Sequence, residues 1–324
     1  MKLFETPFVI NEYEMTCTVS LGIAFWNDTS NDVASLIKKA SLSLADAKAS
    51  GKNKFVVYNI GLQKFEEDTF LIENELRRAI KADCEEFKLH FQPIVEAKTG
   101  KIISVEALAR WYSSKFGLVS PVKFIPIAET TGLIIPLGRH ILDLACKEAK
   151  RWIDNGFDIH VSVNFSVIQM LQSDLISMII RTLQKHRLPP KNLMVEVTES
   201  LAINDINKVI DILTQIKQIG VKIAMDDFGT GYSSLNHLRR LPLNYVKFDR
   251  SFIFNIEFDP YTVSFVDAIS KFCHMKDMQV CCEGVETSTQ RILLQSVGVN
   301  YLQGYLFGKP VPADEFMRIL KPEL

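Results

Sequence analysis

Two adjacent aspartates followed by a Gly-x-Gly turn are the residues of this chain that most directly suggest chemistry. Asp226 and Asp227 follow the apolar run 221–224, which is typical of a buried strand, and Gly229 and Gly231 come next. Successive side chains of a regular strand point to opposite faces, so both carboxylates serve one site only if the strand stops or bulges there. Two carboxylates held close repel each other unless a cation lies between them. This stretch alone leaves two interpretations open, a divalent metal site and a solvated turn in which the aspartates cap the next segment.

Further polar residues lie on or next to other short apolar runs. They are Glu106, Asn164, Glu196, Lys247, Asp249, Glu283, Glu286 and Gln303. Charged side chains are rarely buried unless they are paired or bind a metal. Carboxylates on several successive strands therefore favour a metal site over isolated ion pairs.

The candidate metal ligands all bind through oxygen. They are Glu106, Asn164, Glu196, Asp226 and Asp227. Oxygen ligands suit magnesium, manganese or calcium rather than zinc or copper. The carboxylates suffice for two cations bridged by one aspartate, which would clamp the attacking and leaving oxygens of a phosphoryl displacement. Lys247, inside the predicted site, would add a positive charge near the attacking water or the phosphate.

The elements that must position these residues alternate between strand and helix from Phe87 onward. The apolar runs include 88–94, 159–164, 193–197, 221–225, 245–248, 279–282 and 300–303, with Glu106 on a further run. The helical stretches between them include 137–155, 167–186, 206–219 and 261–275. This alternation predicts a parallel sheet with crossover helices, and about eight repeats favour a closed (β/α)8 barrel, whose strands converge on one face at their carboxyl ends.

The region before the barrel is predicted to contain a small α+β piece and a connecting helix. Strands are expected over 8–10 and 15–24 around a turn, and over 54–58, with a helix from Asn31 or Asp32 to about Ser50. The stretch 62–82 has helical periodicity. We therefore expect a partial domain over 1–60, a connecting helix over 61–84 and the barrel over 85–324.

Composition excludes several classes of function. The 324 residues carry 37 basic and 38 acidic side chains, so the formal net charge of -1 argues against a nucleic-acid polymer as partner. We expect no membrane segment and no signal peptide, because no long apolar run occurs. The six cysteines show no CxxC pair or zinc spacing, which favours free thiols in a cytoplasmic protein.

Residues 87–320 closely resemble the EAL domain, the cyclic di-GMP phosphodiesterase family. The matching motifs are Gln92-Pro93-Ile94, Glu106-Ala107-Leu108 with Arg110, Asn164-Phe165-Ser166, Glu196-Val197-Thr198-Glu199, the stretch 226–234, Lys247-Phe248-Asp249-Arg250-Ser251-Phe252, Glu283-Gly284-Val285-Glu286-Thr287 and Gln303-Gly304-Tyr305. Together, and in this order, these motifs are very specific. The resemblance implies a barrel with one antiparallel strand near its start, which periodicity does not predict.

The resemblance also implies roles for individual residues. One metal would be bound by Glu106, Asn164, Glu196 and Asp226, and the second by Asp226, Asp227 and, through water, Glu283. Magnesium or manganese would support turnover, whereas calcium would bind without supporting it. Lys247 would orient or polarise the attacking water. The catalytic residues that the resemblance implies are Glu106, Lys247 and Glu283. Gln92, Leu108, Arg110, Asp249 and Gln303 would line the dinucleotide site, and Glu199 and Glu286 would brace the loop after Asp227.

Residues 8–59 resemble only the back part of a GGDEF diguanylate cyclase domain, notably at Val19–Ala24 and Ala45–Lys48. No GG(D/E)EF sequence occurs in this chain, and the front half that would hold GTP is missing, so cyclase activity and GTP sensing through this part are not expected. In the barrel, Asn300 stands where the family often has aspartate. We expect a modest effect because this position is not a ligand.

The leading hypothesis is a bacterial signalling enzyme that hydrolyses cyclic di-GMP to linear pGpG. The alternative is a catalytically silent cyclic di-GMP receptor that signals through the helix over 62–82. The complete set of acidic ligands and Lys247 favour the enzyme, and the ordered motifs disfavour an unrelated metal-dependent barrel of aldolase or enolase type. The resemblance further implies a homodimer through the EAL domain, with contacts involving the loop 228–234 and neighbouring helices.

Overall fold

The structure, a computed structural model, describes residues 4, 6–11, 13–26, 32–199, 206–230 and 235–321. The chain divides into two compact units, Met1–Glu75 and Leu76–Leu324. No helix among the described residues combines the length and the apolar character needed to cross a membrane. All six cysteines are free thiols, as predicted, and only Cys17 is exposed.

The first unit contains two separate strand pairs. Strands β1 (Phe8–Ile10) and β2 (Tyr13–Met15) pair in an antiparallel manner. Strands β3 (Leu21–Ile23) and β4 (Phe55–Val57) pair in parallel, with helix α1 (Val33–Ala49) between them in the chain. The single strand predicted over 15–24 is therefore wrong. Residues 16–20, between β2 and β3, belong to no strand, so the extended stretch is interrupted there.

Helix α1 begins where the sequence predicts. Asp32 is its N-cap, and the Asp32 carboxylate accepts a hydrogen bond of 2.5 Å from the backbone N–H of Ser35. This bond satisfies one of the backbone donors that the first helical turn leaves unpaired. Asn31, the other predicted cap, lies outside the described residues.

Helix α2 (Ile60–Lys81) lies where a helix is predicted, and the second unit begins within it at Leu76. Its strands are β5 (Phe87–Glu96), β6 (Ile102–Ser113), β7 (Gly117–Val119), β8 (His160–Phe165), β9 (Leu193–Thr198), β10 (Lys222–Phe228), β11 (Tyr245–Phe248), β12 (Gln279–Cys282), β13 (Tyr301–Gln303) and β14 (Val311–Pro312). Its further helices are α3 (Pro121–Thr130), α4 (Ile134–Asp154), α5 (Val167–Met170), α6 (Leu175–His186), α7 (Ile206–Ile219), α8 (Leu235–Arg240), α9 (Arg250–Ile253), α10 (Pro260–His274), α11 (Ser288–Ser296) and α12 (Ala313–Leu320). Short 3-10 turns lie at Pro190–Asn192 and Ile256–Phe258.

Eight strands of this unit form a closed barrel. Strands β6, β8, β9, β10, β11, β12 and β13 pair in parallel in this order, and β5 closes the barrel between β13 and β6. Strand β5 pairs with β13, β6 and the short β14, and all three pairings are antiparallel. The predicted (β/α)8 fold is confirmed, and β5 is the antiparallel strand that the resemblance implied. The carboxyl ends of the seven parallel strands consequently meet at one face.

The barrel strands are buried because helices cover their outer faces. Strand β9, for example, is buried from Leu193 to Val197. Helix α4 carries its buried residues on one face, and the ring of its Trp152 lies 4.8 Å from that of Phe91 on β5. These contacts fix the strands whose ends carry the polar residues.

One predicted helix of the barrel is interrupted. The sequence predicts a single helix over 167–186, but α5 ends at Met170 and α6 begins at Leu175. Asp174, which precedes α6, forms an ion pair of 2.7 Å with Arg139 of α4. Asp174 is the N-cap residue of α6, and Leu175, the first residue of that helix, is buried.

Candidate functional site

An acidic cluster lies where five adjacent barrel strands present polar side chains to one another. Glu106 is on β6, Asn164 on β8, Glu196 on β9, Asp226 on β10 and Lys247 on β11. Carboxylate oxygens of the two glutamates and the aspartate all lie within 4.8 Å of one another, and the three residues are buried. The structure thus brings together side chains that are far apart in sequence.

Lys247 lies at the centre of this cluster and is only 2% exposed. Its Nζ is 2.9 Å from Glu196 Oε2 and 2.6 Å from Glu283 Oε1. It also lies 3.4 Å from Asp226 Oδ1 and 3.6 Å from Glu106 Oε2. Four carboxylates therefore surround one ammonium group. Among the described residues, no other cationic side chain forms an ion pair with them.

This excess of negative charge perturbs the carboxylates. Burial, together with Glu106 and Asp226, raises the pKa of Glu196 to about 8, although Lys247 acts in the opposite direction. Burial and the same neighbours raise the pKa of Glu283 well above its ordinary value. The four carboxylates in turn outweigh burial and raise the pKa of Lys247. The cluster thus holds more acidic groups than one lysine can neutralise.

Glu106 is held by two amide side chains. Asn164 Nδ2 donates to Glu106 Oε1 at 2.7 Å, and Gln303 Nε2 donates to Glu106 Oε2 at 2.6 Å. Burial acts to raise the pKa of Glu106, but Lys247 and these hydrogen bonds outweigh it and lower the pKa. Gln303 Nε2 also donates to Gln92 Oε1 at 3.1 Å. These bonds fix Glu106 as a carboxylate in a defined orientation.

Strand β10 bulges at the two aspartates, which is one of the two arrangements that let both carboxylates serve one site. Its register against β11 shifts between Met225 and Phe228, and Asp227 has a φ of 53°. The backbone N–H of Asp227 donates to Asp226 Oδ1 at 3.0 Å. Burial and the carboxylates of Asp226 and Asp249 raise the pKa of Asp227. The bulge therefore keeps both carboxylates at the same end of the barrel.

The loop after Asp227 is partly described. Gly229, with a φ of 95°, donates its backbone N–H to Glu199 Oε2 at 3.0 Å. A Cβ at Gly229 would lie 2.4 Å from the Phe252 ring, so only glycine fits. Residues 231–234, which belong to the predicted loop motif, lie outside the described residues.

The cluster fits a divalent cation on structural grounds. Glu196 Oε1 is buried, and no hydrogen-bond donor among the described residues pairs with it. A buried carboxylate oxygen without a partner is unfavourable unless a cation binds it. The donor set consists of oxygen atoms, which magnesium, manganese and calcium prefer. A buried acidic cluster that can bind a metal is therefore present.

Two cavities adjoin the cluster. The larger, about 560 Å³, is lined by Leu108, Arg110 and Asn164 together with apolar residues of α3 and α4. The smaller, about 190 Å³, is lined by Gln92, Glu283, Gln303, Arg250 and Tyr305, among others. Four of the five residues predicted to line a dinucleotide site thus lie at a cavity wall.

Two predicted residues lie at the edge of this arrangement. Asp249 caps α9, because its Oδ1 accepts from the Ser251 N–H at 2.9 Å. The side chain of Glu286 is exposed and has no hydrogen bond or ion pair within the described ranges, although it lines the smaller cavity. Its predicted role in bracing the loop stays a prediction.

Sequence reasoning overlooked two buried glutamines next to the site. Gln169 follows the Asn164 motif and Gln290 follows the Glu283 motif, and each is 5% exposed. Each completes a capping box, with Ser166 and with Thr287 respectively. The pattern Ser/Thr-x-x-Gln is visible in the sequence and could have identified both residues.

Comparison with known proteins gives consistent matches. The EAL domain profile matches residues 73–310. The signaling protein YkoW of Bacillus subtilis is 38% identical over 317 residues, 98% of this chain and 39% of the relative. The bifunctional diguanylate cyclase/cyclic di-GMP phosphodiesterase MucR of Pseudomonas aeruginosa is 36% identical over 318 residues, 98% of this chain and 46% of the relative. This chain therefore spans less than half the length of either relative.

A solved structure of the PaMucR phosphodiesterase in complex with c-di-GMP also matches. The TM-score is 0.72 at 40% identity, covering 76% of this chain and 99% of that one. The matched profile spans every residue of the acidic cluster, from Glu106 to Glu283. The chain belongs to the EAL domain family.

Proposed function

We propose that the second unit hydrolyses cyclic di-GMP to linear pGpG with magnesium or manganese. The observation that carries this proposal is the buried cluster of Glu106, Glu196 and Asp226, with ligand oxygens within 4.8 Å of one another. MucR, which is named a cyclic di-GMP phosphodiesterase, and its complex with c-di-GMP support the choice of substrate.

In this proposal the strand ends hold two cations. Glu106, Asn164, Glu196 and Asp226 would hold the first, and Asp226, Asp227 and Glu283 the second. Such cations supply positive charge to the phosphoryl oxygens and lower the pKa of bound water. The bulge at Asp227 supports a shared role for the two aspartates, because it lets consecutive side chains face one site.

Lys247 and the amides orient the reacting groups. Four carboxylates fix the Lys247 ammonium, which would place its positive charge next to the phosphate and the attacking water. Gln303 and Asn164 keep Glu106 from rotating. Burial of these groups excludes bulk water and strengthens their interaction with a phosphate.

The two cavities suit a ligand with two bases. A cyclic dinucleotide places one nucleoside on each side of its phosphates. One would lie in the cavity with Leu108 and Arg110, and the other in the cavity with Gln92 and Gln303. The Arg110 guanidinium, half-buried at the cavity wall, would pair with a phosphate.

Residues 1–60 are proposed to be the back part of a GGDEF-like domain, followed by a connecting helix over 61–84 and the EAL domain over 85–324. Parallel pairing of β3 with β4, and the match to a diguanylate cyclase relative along 98% of this chain, support this division.

We also propose a homodimer through the EAL domain. The free thiols support a reducing, cytoplasmic location.

Incubation with cyclic di-GMP and magnesium, followed by separation of the nucleotides, tests the proposal. Asp226→Asn removes one ligand charge, and pGpG formation should fall by more than about 100-fold. Asp158→Asn is the matched control, because Asp158 precedes β8 at the opposite end of the barrel and pairs with Lys191. Unchanged turnover in the Asp226 variant contradicts the proposal. Binding without pGpG in the wild type favours the silent receptor.

A further inference from the structure

The loop after β12 carries Glu283 and continues into α11, and one buried side chain holds it. Gln290 Oε1 accepts hydrogen bonds from the backbone N–H groups of Glu286 at 2.7 Å and Thr287 at 3.0 Å. Gln290 Nε2 donates to the backbone oxygen of Ile253 at 3.2 Å. One amide therefore joins the loop after β12 to the end of α9.

Helix α9 follows β11, the strand that carries Lys247. Ile253 is the last residue of α9, where helix carbonyls lack partners within the helix. Glu283 Oε1 is 2.6 Å from Lys247 Nζ, and the N–H of Glu283 donates to Phe248 O at 3.1 Å. Gln290 thus joins the loop that carries Glu283 to the helix that follows the strand of Lys247.

The backbone between Glu283 and Gln290 has little room to move. Gly284 has a φ of 71°, and a Cβ there would lie 2.5 Å from Arg250 Cβ. A Cβ at Gly304 would lie 2.1 Å from the oxygen of Val285. The N–H of Val285 donates to Gln303 O at 3.0 Å. A shift of α9 would therefore displace Glu283 directly.

A capping box alone accounts for only part of these contacts. In such a box the Gln side chain accepts from the N-cap backbone, here Thr287, and the N-cap hydroxyl accepts from Gln290 N. The bond to Ile253 O has no place in that motif. It requires a side-chain donor, which glutamine has and glutamate lacks at neutral pH.

We propose that Gln290 is a positioning residue that fixes Glu283 against Lys247 by tying the loop after β12 to α9. The inference rests on the proposed function for the roles of Glu283 and Lys247. Gln290 lines neither of the two cavities and is not among the candidate metal ligands. Its effect is to hold the Glu283 carboxylate where it completes the acidic cluster.

Two variants separate the helix-capping role of Gln290 from its hydrogen bond to the backbone oxygen of Ile253. Gln290→Glu keeps the two accepted bonds but loses the donor to Ile253, whereas Gln290→Met loses all three. Asp259→Ala is the control, because Asp259 caps α10 by accepting from Tyr261 N and Thr262 N, away from the joined loops. The full chain of each variant is titrated with Mn²⁺ by calorimetry. Backbone hydrogen exchange over 284–288 is measured without metal. The values of kcat and KM for cyclic di-GMP are then compared with those of the wild type.

We expect both Gln290 variants to bind Mn²⁺ about tenfold more weakly and to lose about tenfold in kcat with unchanged KM. Exchange over 284–288 should accelerate in Gln290→Met and stay at the wild-type rate in Gln290→Glu. Asp259→Ala should lower the melting temperature and leave Mn²⁺ affinity and kcat unchanged.

Wild-type Mn²⁺ affinity in Gln290→Glu would overturn the inference, because the residue would then act only as a helix cap. An equal loss in Asp259→Ala would also overturn it, since general destabilisation would explain the effect. If the wild type forms no pGpG, the proposed function fails, while the Mn²⁺ titration and the exchange data still decide the role of Gln290. If Gln290→Met does not fold, Gln290→Glu decides alone.

Discussion

At the scale of residues, Glu196 shows how burial prepares a metal ligand. No part of its surface is exposed, and neighbouring carboxylates add to the effect of burial, so its pKa rises to about 8. Metal ligands must be deprotonated, and a carboxyl with such a pKa holds a proton at neutral pH. Binding of a cation must therefore displace this proton.

The affinity of the cluster for a divalent cation should therefore rise with pH. We expect the affinity for Mg²⁺ to rise about tenfold per pH unit from about pH 6 to about pH 8, as Glu196 loses its proton. Titration calorimetry across this range measures the slope, and buffers of different ionisation enthalpy count the released proton. Glu196→Gln should bind Mg²⁺ weakly and with a smaller slope, the remaining slope coming from Glu283, whose pKa is also raised. An affinity independent of pH in the wild type contradicts this assignment.

At the scale of elements, the sequence predicts β5 and β8 to β13, because strands covered on both faces form short, nearly continuous apolar runs. For the two aspartates it predicts only that the strand stops or bulges if both carboxylates serve one site, and the structure shows the bulge. Periodicity carries no information on strand direction, so the antiparallel β5 came from resemblance alone. The Gln303–Glu106 bond joins residues 197 positions apart, and no local pattern encodes it. The placement of acidic residues on successive strands was therefore predictable, whereas the hydrogen bonds that orient Glu106 were not.

Glu86 joins three elements of the barrel unit. It lies just before β5, accepts a hydrogen bond from Trp111 Nε1 of β6 at 3.0 Å and pairs with Arg78 of α2. Burial acts to raise the pKa of Glu86, but hydrogen bonds from Trp111, Arg78 and Ser114 outweigh it and lower the pKa to about 2.

A lowered pKa in the folded state gives stability that is present above the unfolded pKa and lost as the pH falls towards about 2. Glu86→Gln should lower the free energy of unfolding by about 1 kcal/mol at neutral pH. The difference from the wild type should shrink as the pH falls below about 4.5. Urea unfolding of both proteins at several pH values measures this difference in the free energy of unfolding. A difference that is constant with pH would assign the effect to packing rather than to the charge.

At the scale of the whole molecule, the proposed dimer has a candidate surface. Phe254, Phe258 and Tyr261 follow β11 and are 76%, 84% and 87% exposed. The described part of the loop after Asp227 lies next to this segment, because Gly229 packs against Phe252. Neighbouring exposed aromatic residues are typical of a protein interface.

We expect light scattering at about 10 µM to give twice the mass of one chain. Phe258→Asp should shift the protein towards the monomer, because an interface that buries a charge loses affinity. Val122→Asp is a suitable control, since Val122 is 83% exposed on α3. A monomeric wild type contradicts the proposed dimer.

Hydrolysis in ¹⁸O-labelled water tests the central claim most directly. With cyclic di-GMP and magnesium, water attack at one phosphate predicts pGpG that carries one ¹⁸O atom on its terminal phosphate, as measured by mass spectrometry. Asp226→Asn should form this product more than about 100-fold more slowly. Unlabelled cyclic di-GMP that stays intact while bound to the wild type would contradict the assignment of this acidic cluster as a phosphodiesterase centre.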